Sequence, residues 1–333
     1  MKRILVIKLG ALGDFFLAFG PFAAIRAAYP EARITLLTTK PFGLLAARAP
    51  WFDQVEIDAR APWWDLVQAF RVRRRLRGFA FVFDLQTSAR SAHYFRLAGR
   101  PPWSGVAPGC SHPHANPARN RMHSFERQRE QLALAGIGAF PPPDLRWLAS
   151  GGTRFDVPRP YALLVPGAAR HRPAKRWPAE RFAALARHLA GAGLNPVLIG
   201  GPDEGPLGQE IKATAPDAID LIGRTGLRDL GPLAAGARLA VGNDTGPMHL
   251  AALLGVPTLV LFSAESDPAL TAPRGRAGET VAVIQVPDLA ALDLARVVAA
   301  LPGRHRPLPA PESSHECQPS ACPTAPSATS QHP

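Results

Sequence analysis

Asp14 closes the stretch Gly10-Ala11-Leu12-Gly13-Asp14, which follows the apolar run ILVIKL at residues 4–9 and precedes a second apolar run. A carboxylate at a strand-to-helix turn has two uses. It caps the helix by accepting from backbone amides, a role in which Asp is among the favoured residues. Where the turn opens onto a cleft, it accepts a proton from an attacking hydroxyl as a general base, at a helix start whose dipole favours an anion. The local sequence leaves both open. Gly10 and Gly13 let the chain turn tightly and let a ligand approach the backbone, and the carboxyl edge of a parallel sheet is where α/β proteins place ligands. The spacing departs from GxGxxG, so a dinucleotide fingerprint is missing.

The second half holds a complementary set. Lys175 lies in Lys175-Arg176-Trp177-Pro178, downstream of the strand-ending Val165-Pro166-Gly167. Its ammonium suits phosphate oxygens, with amides at the start of the next helix as further donors; a solvated loop anchored by Trp177, with Pro178 in the first helical turn, is the alternative. Glu204, in Gly200-Gly201-Pro202-Asp203-Glu204, ends another strand, where a carboxylate accepts from ribose hydroxyls or caps a helix. The most distinctive stretch is Val241-Gly242-Asn243-Asp244-Thr245-Gly246-Pro247-Met248-His249, a strand opening through a small polar loop into a helix. Thr245 and the amides of Gly246 and Met248 suit a diphosphate at the positive helix end, while Pro247 has no N–H to give. Asp244 suits loop orientation or a sugar hydroxyl. His249, one turn in, is a phosphate contact or a core histidine.

Apolar β-branched runs alternate with longer Ala/Leu/Arg stretches at helical spacing, the pattern of βα units on a parallel sheet. Strands are expected at 4–9, 32–38, 54–58 and 79–84, and helices at 15–28, 63–77, 88–98 and 123–135. A Pro-rich stretch from Phe140 to Pro160 interrupts the rhythm and sets a boundary near residue 150. The pattern restarts with strands at 161–167, 195–201 and 219–223, a helix at 178–192, and the strands ARLAVGND and PTLVLF. From residue 304 onward Pro, Ser, His and Thr replace apolar periodicity, so 304–333 reads as a disordered tail.

The 333 residues suit two domains. No run is long and apolar enough for a membrane span. Lys2 and Arg3 before ILVI resemble a signal peptide, yet Lys8 interrupts the apolar run and Asp14 follows it, so a first strand and a cytoplasmic protein are expected. The three cysteines, Cys110, Cys317 and Cys322, imply no disulfide framework. A net charge of +12 favours anionic partners, although an arginine-rich genomic composition would also raise it. Arg71, Arg73, Arg74, Arg75 and Arg77 suit an anionic glycolipid or membrane face, or form a solvated helix surface. The aromatic interleaving that serves single-stranded nucleic acid is missing. Cys110, His112, His114 and His123 form no standard zinc pair.

In order along residues 1–300, GALGD, PGA with KRWP, and VGNDTGPMHLAALLGVP resemble the family 9 glycosyltransferases, the lipopolysaccharide heptosyltransferases. The resemblance implies an α/β GT-B fold, two Rossmann-like domains facing each other across a cleft. Residues 1–150 would bind acceptor and 151–303 the nucleotide sugar. It implies inverting transfer of a sugar, heptose from ADP-heptose, onto a lipopolysaccharide core or related glycan, without a covalent intermediate. Carried over by position, Asp14 is the general base, Lys175 contacts phosphate, Glu204 contacts ribose, and Asp244, Thr245, Gly246 and His249 form the diphosphate and sugar loop. No metal or other cofactor is implied beyond the nucleotide-sugar donor. The implied partners are that donor and an anionic glycolipid or glycan acceptor, not nucleic acid, with peripheral contact at the cytoplasmic face of the inner membrane. Two stretches depart from the family. Phe15-Phe16-Leu17-Ala18-Phe19-Gly20-Pro21 is bulkier than the usual segment and implies an altered acceptor-facing wall, and Phe262-Ser263-Ala264-Glu265-Ser266-Asp267-Pro268 replaces a shorter loop. A catalytically silent nucleotide-binding assembly protein of the same fold and a transferase using another nucleotide sugar are the rival readings. An oxidoreductase or epimerase would need the missing GxGxxG and a Tyr-x-x-x-Lys pair.

Overall fold

The apolar runs become strands, and the two halves of the chain repeat one topology. In the computed structural model, which describes residues 1–60, 65–275 and 281–302, the first sheet holds β1 (Arg3–Ile7), β2 (Arg33–Thr39), β3 (Gln54–Asp58), β4 (Phe81–Asp84), β5 (Trp103–Gly105) and β6 (His112–Pro113). The second holds β7 (Tyr161–Val165), β8 (Asn195–Leu198), β9 (Ile219–Asp220), β10 (Leu239–Asn243), β11 (Thr258–Phe262) and β12 (Val281–Gln285). Their orders are β3-β2-β1-β4-β5-β6 and β12-β11-β10-β7-β8-β9, with parallel pairing throughout. Numbered from its own first strand, each sheet reads 3-2-1-4-5-6, the doubly wound order. Such a sheet opens a crevice outside the carboxyl ends of its two central strands. Those strands are β1 and β4 in one sheet, β7 and β10 in the other. The loops bearing Asp14, Gly167 and Asp244 leave β1, β7 and β10 respectively.

The helices are α1 (Leu12–Leu17), α2 (Phe19–Ala28), α3 (Lys40–Ala46), α4 (Leu66–Leu76), α5 (Ala89–Leu97), α6 (Ser124–Leu134), α7 (Arg146–Ala149), α8 (Ala179–Gly191), α9 (Gly205–Thr214), α10 (Leu227–Gly236), α11 (Gly246–Leu253), α12 (Pro268–Thr271) and α13 (Leu294–Ala299). The single helix expected over 15–28 is in fact two, meeting at Ala18. Pro21 explains the break, because it has no N–H for the Leu17 carbonyl and its ring crowds that turn. Pro178 stands at the N-cap of α8, one place before the first helical turn.

Phe15, Phe16, Phe19 and Phe22 are each at most 1% exposed. They pack with Phe42, Trp51 and Trp147, Phe15 stacking on Phe42 at 4.7 Å between centroids. The bulky segment therefore builds core and not an acceptor-facing wall, each ring contributing roughly 1.5–3 kcal/mol by burial. The same apolar cluster runs on through Leu148, Leu163, Leu233 and Met248, so it joins both halves. Arg48 fastens the segment near residue 150 by donating to the carbonyls of Trp147 and Ser150. Residues Met1–Pro302 make one compact unit. The tail expected at 304–333, with Cys317 and Cys322, lies outside the described residues. Among the described residues no helix is long and apolar enough to cross a membrane.

Candidate functional site

Asp14 does not cap its helix. α1 starts at Leu12 behind Ala11, which is extended (φ −73°, ψ −175°) and makes no side-chain cap bond, so Asp14 falls at the third helical position. It is half-buried. Gly10 turns the chain ahead of it at φ +138°, in the region that favours glycine, with Phe42 and Arg60 packed against it. Helix α1 then docks on α11 through two reciprocal close approaches. A methyl on Gly246 would lie 2.7 Å from Leu12 Cβ, and one on Gly13 would lie 2.8 Å from His249 Nε2. Each helix thus has a glycine where the other presents a side chain. The arrangement puts His249 against the residue preceding Asp14.

His249 is 4% exposed and, among the described residues, its Nδ1 has no hydrogen-bond partner. Burial pushes its pKa down to about 4 against the pull of the Asp244 and Asp14 carboxylates, with His123 and Lys175 adding to the depression. Asp14, His249, Asp244 and Lys175 therefore share one electrostatic neighbourhood. Lys175 Nζ pairs with Asp244 Oδ2 at 2.5 Å, and Ser266 Oγ donates to the same oxygen at 2.8 Å. Asp244 thus holds Lys175 and Ser266 together.

The remaining loops surround a cavity of about 530 Å³ lined by Leu12, Gly167, Ala168, Arg176, Glu204, Thr225, Leu227 and Thr245, among others. Of the residues singled out in the sequence, Glu204 and Thr245 face this cavity; Asp14, Lys175, Asp244, Gly246 and His249 gather at its seam with α1. The Glu204 carboxylate accepts from Gly201 N at 2.7 Å and lies over Gly167, occupying the space a β-carbon there would need. Burial raises its pKa, opposed by the Gly201 amide and Arg176. At the start of α11, Met248 N is spent on Thr245 O at 3.1 Å, so the amide expected to face a diphosphate is Gly246 N alone.

Four participants had no assigned role in the sequence. Asn243 is fully buried; its Nδ2 donates to Pro166 O at 2.7 Å while its Oδ1 accepts from Trp177 N at 3.1 Å. It thereby joins three loops, and a lone Asn before Asp244 gave no signal of this. Ser266, in the loop after β11, holds Asp244 through its hydroxyl. Lys8 is 5% exposed, donates to Leu85 O at 3.1 Å, and has its pKa lowered by burial against the pull of Asp14 and Asp84. Asp84 is fully buried, and that burial raises its pKa to about 6. A charge inside an apolar strand was the available signal for Lys8. Cys110, His112, His114 and His123 bond separately, to Gly105 O, Ser111 Oγ, Arg119 and Ala272 O.

A family profile described as Glycosyltransferase family 9 (heptosyltransferase) matches residues 144–293. Lipooligosaccharide heptosyltransferase 2 of Haemophilus ducreyi is 24% identical over 310 residues, 85% of this chain and 89% of its own. Lipopolysaccharide heptosyltransferase 2 of Escherichia coli is 36% identical over 131 residues, 38% of this chain and 37% of its own. Residues 144–293, a little under half of the chain, are thus similar to glycosyltransferase family 9. In this glycosyltransferase the backbone follows solved relatives closely. The structure of E. coli ADP-heptose lps heptosyltransferase II superposes with TM-score 0.71 at 23% identity, over 90% of this chain and 97% of that one. E. coli heptosyltransferase WaaC, solved with ADP, gives 0.73 at 21% identity, over 89% and 98%. The fold is accordingly GT-B, with its two Rossmann-like sheets facing a cleft.

Proposed function

We propose that this glycosyltransferase moves heptose from ADP-heptose, with inversion, onto a lipopolysaccharide core or related anionic glycan, and that Asp14 is the general base. Residues 1–150 would bind the acceptor and 151–303 the donor. The names of the relatives, lipooligosaccharide and lipopolysaccharide heptosyltransferases, one of them solved with ADP, support the donor and acceptor classes. The observation that carries the site assignment is the docking of α1 on α11, Gly13 against His249 and Leu12 against Gly246. It sets Asp14 beside the 243–249 loop, next to a cavity that Leu12 itself lines.

In this reading ADP occupies the cavity with Glu204 accepting from the ribose hydroxyls. Lys175, Thr245 and the Gly246 amide meet the diphosphate at the start of α11. The acceptor hydroxyl oxygen attacks the anomeric carbon opposite the diphosphate, the bond from that carbon to the phosphate oxygen breaks with its electrons leaving on ADP, and Asp14 takes the hydroxyl proton. Lys175 supplies positive charge where negative charge develops, so the assignment requires no metal. Asp244, which holds Lys175, orients it and stands close enough to meet a sugar hydroxyl. An anionic glycolipid acceptor brings the reaction to the cytoplasmic face of the inner membrane, and nucleic acid has no part in it.

The test is turnover with a panel of ADP-, UDP-, GDP- and CMP-sugars and a delipidated core acceptor, reading nucleotide release and product anomeric configuration by NMR. Turnover of ADP-heptose alone, with inverted configuration, is expected. Retention, preference for another nucleotide, or ADP binding without transfer would count against the proposal.

A further inference from the structure

The helix α4 carries a surface that neither the donor site nor the seam uses. It turns Val72 and the buried Leu76 toward the cluster beneath β1 and β4. Residues three and four apart share a helix face, so Val67, Phe70, Arg71 and Arg74 line the outward side. Val67 is 62% exposed and Phe70 67%. Arg71, Arg73, Arg74 and Arg77 are exposed as well, and among the described residues none of the four forms an ion pair, whereas Arg75 reaches Glu56 at 3.8 Å.

Val67 and Phe70 give this face an apolar character beside its cationic one. Nucleic acid would use the arginines and stack on Phe70, but has no use for the branched aliphatic Val67. An exposed apolar pair sharing its face with arginines is what a helix lying in a headgroup layer needs: apolar groups enter the acyl boundary and guanidinium groups meet anionic lipid phosphates. The placement fits as well. Strands β1, β2 and β3 are parallel, so α4, which follows β3, begins at the edge where the Asp14 loop leaves β1. The apolar pair lies toward that beginning.

We propose that the outward face of α4 docks on an anionic lipid bilayer, with Val67 and Phe70 entering the interface and Arg71 and Arg74 pairing with headgroup phosphates, so that the Asp14 edge of the sheet faces the membrane. The inference deepens the glycolipid-acceptor reading, yet its test uses no turnover, so the two fail separately.

The experiment is flotation of the full chain with vesicles of phosphatidylcholine alone or mixed with phosphatidylglycerol. Binding is expected only to the mixed vesicles and falls with added salt. Arg71→Gln with Arg74→Gln should weaken it about thirty-fold, about five-fold for each arginine. Phe70→Ser should weaken it about ten-fold, and Arg187→Gln with Arg296→Gln, charges on other helices, should leave it nearly unchanged. All these side chains are exposed, and ADP affinity serves as the check on folding. Equal binding to neutral vesicles, or α4 variants that float like the parent, would overturn the proposal. So would duplex DNA displacing the vesicles from the parent while both α4 variants lose DNA binding, since the face would then belong to nucleic acid.

Discussion

Replacing Gly13 by alanine tests the seam between the two halves at the point where Asp14 is positioned. The added methyl would stand 2.8 Å from His249 Nε2 and 2.9 Å from Cδ2. Ordinary contact lies near ~3.5 Å, so the ring must retreat by about 0.6 Å. It has little room to do so at 4% exposure between two packed helices. Overpacking of this kind costs about 1–3 kcal/mol, while exchanging Gly for Ala in a helix returns at most ~1 kcal/mol. The net expectation is a loss of about 1–2 kcal/mol in urea denaturation, with transfer falling further than stability because Asp14 moves with the helix. The double variant Gly13→Ala with His249→Ala removes the ring that the methyl meets. In it the alanine becomes neutral or stabilising, a coupling of about 2 kcal/mol in a double-mutant cycle. Parental stability and activity in Gly13→Ala, or simple additivity in the cycle, would refute the reasoning.

The buried His249 and Asp84, and the Glu204 carboxylate proposed to meet ribose, are open to test as well. His249, depressed to about 4 from an ordinary 6.5, stabilises the fold while neutral; that contribution, roughly 3 kcal/mol, is complete above pH 6.5 and is lost as pH falls toward 4. Asp84 runs the other way: raised from 3.8 to about 6, it stabilises the fold while protonated, and its contribution of similar size is lost as pH rises through that window. The urea midpoint should consequently fall between pH 6.5 and 4 in Asp84→Asn and rise over the same range in His249→Gln; parallel profiles in the two variants would contradict both assignments. Gly167→Ala should displace the Glu204 carboxylate from its place over the loop and weaken ADP binding about ten-fold, the loss of a charge-assisted hydrogen bond. Calorimetry showing parental ADP affinity would count against the role of Glu204.

The sequence marked the strands that lie deep in each sheet because β1, β2, β7, β10 and β11 are nearly continuous apolar runs. It missed β5 and β6, three and two residues long, which are too short for periodicity, and β12, whose residues are largely half-exposed. It also merged α1 and α2, since the apolar pattern continues through Ala18 and only the reach of Pro21 back to Leu17 divides them. The loops proposed to face phosphate were legible from local types at Lys175, Glu204 and Asp244. Their mutual engagement was not: the hold of Asp244 on Lys175 spans 69 positions, and Lys8, Ser266 and Asn243 act through contacts that no local spacing announces. The capping role left open for Asp14 disappeared once the helix began two residues before it. The phenylalanines of α1 and α2, read as a modified acceptor wall, turned inward because the aromatic cluster around Trp51 and Trp147 offered them burial.

The most direct test of the account is the single-turnover rate of ADP-heptose with acceptor in Asp14→Asn, measured beside the ADP Kd. If Asp14 takes the acceptor proton, the rate falls by about 10²–10⁴ while ADP binds as in the parent, because the proposed donor contacts lie on the other half of the chain. A variant that transfers within a few-fold of the parental rate, or one that loses rate only in proportion to ADP affinity, would contradict the account.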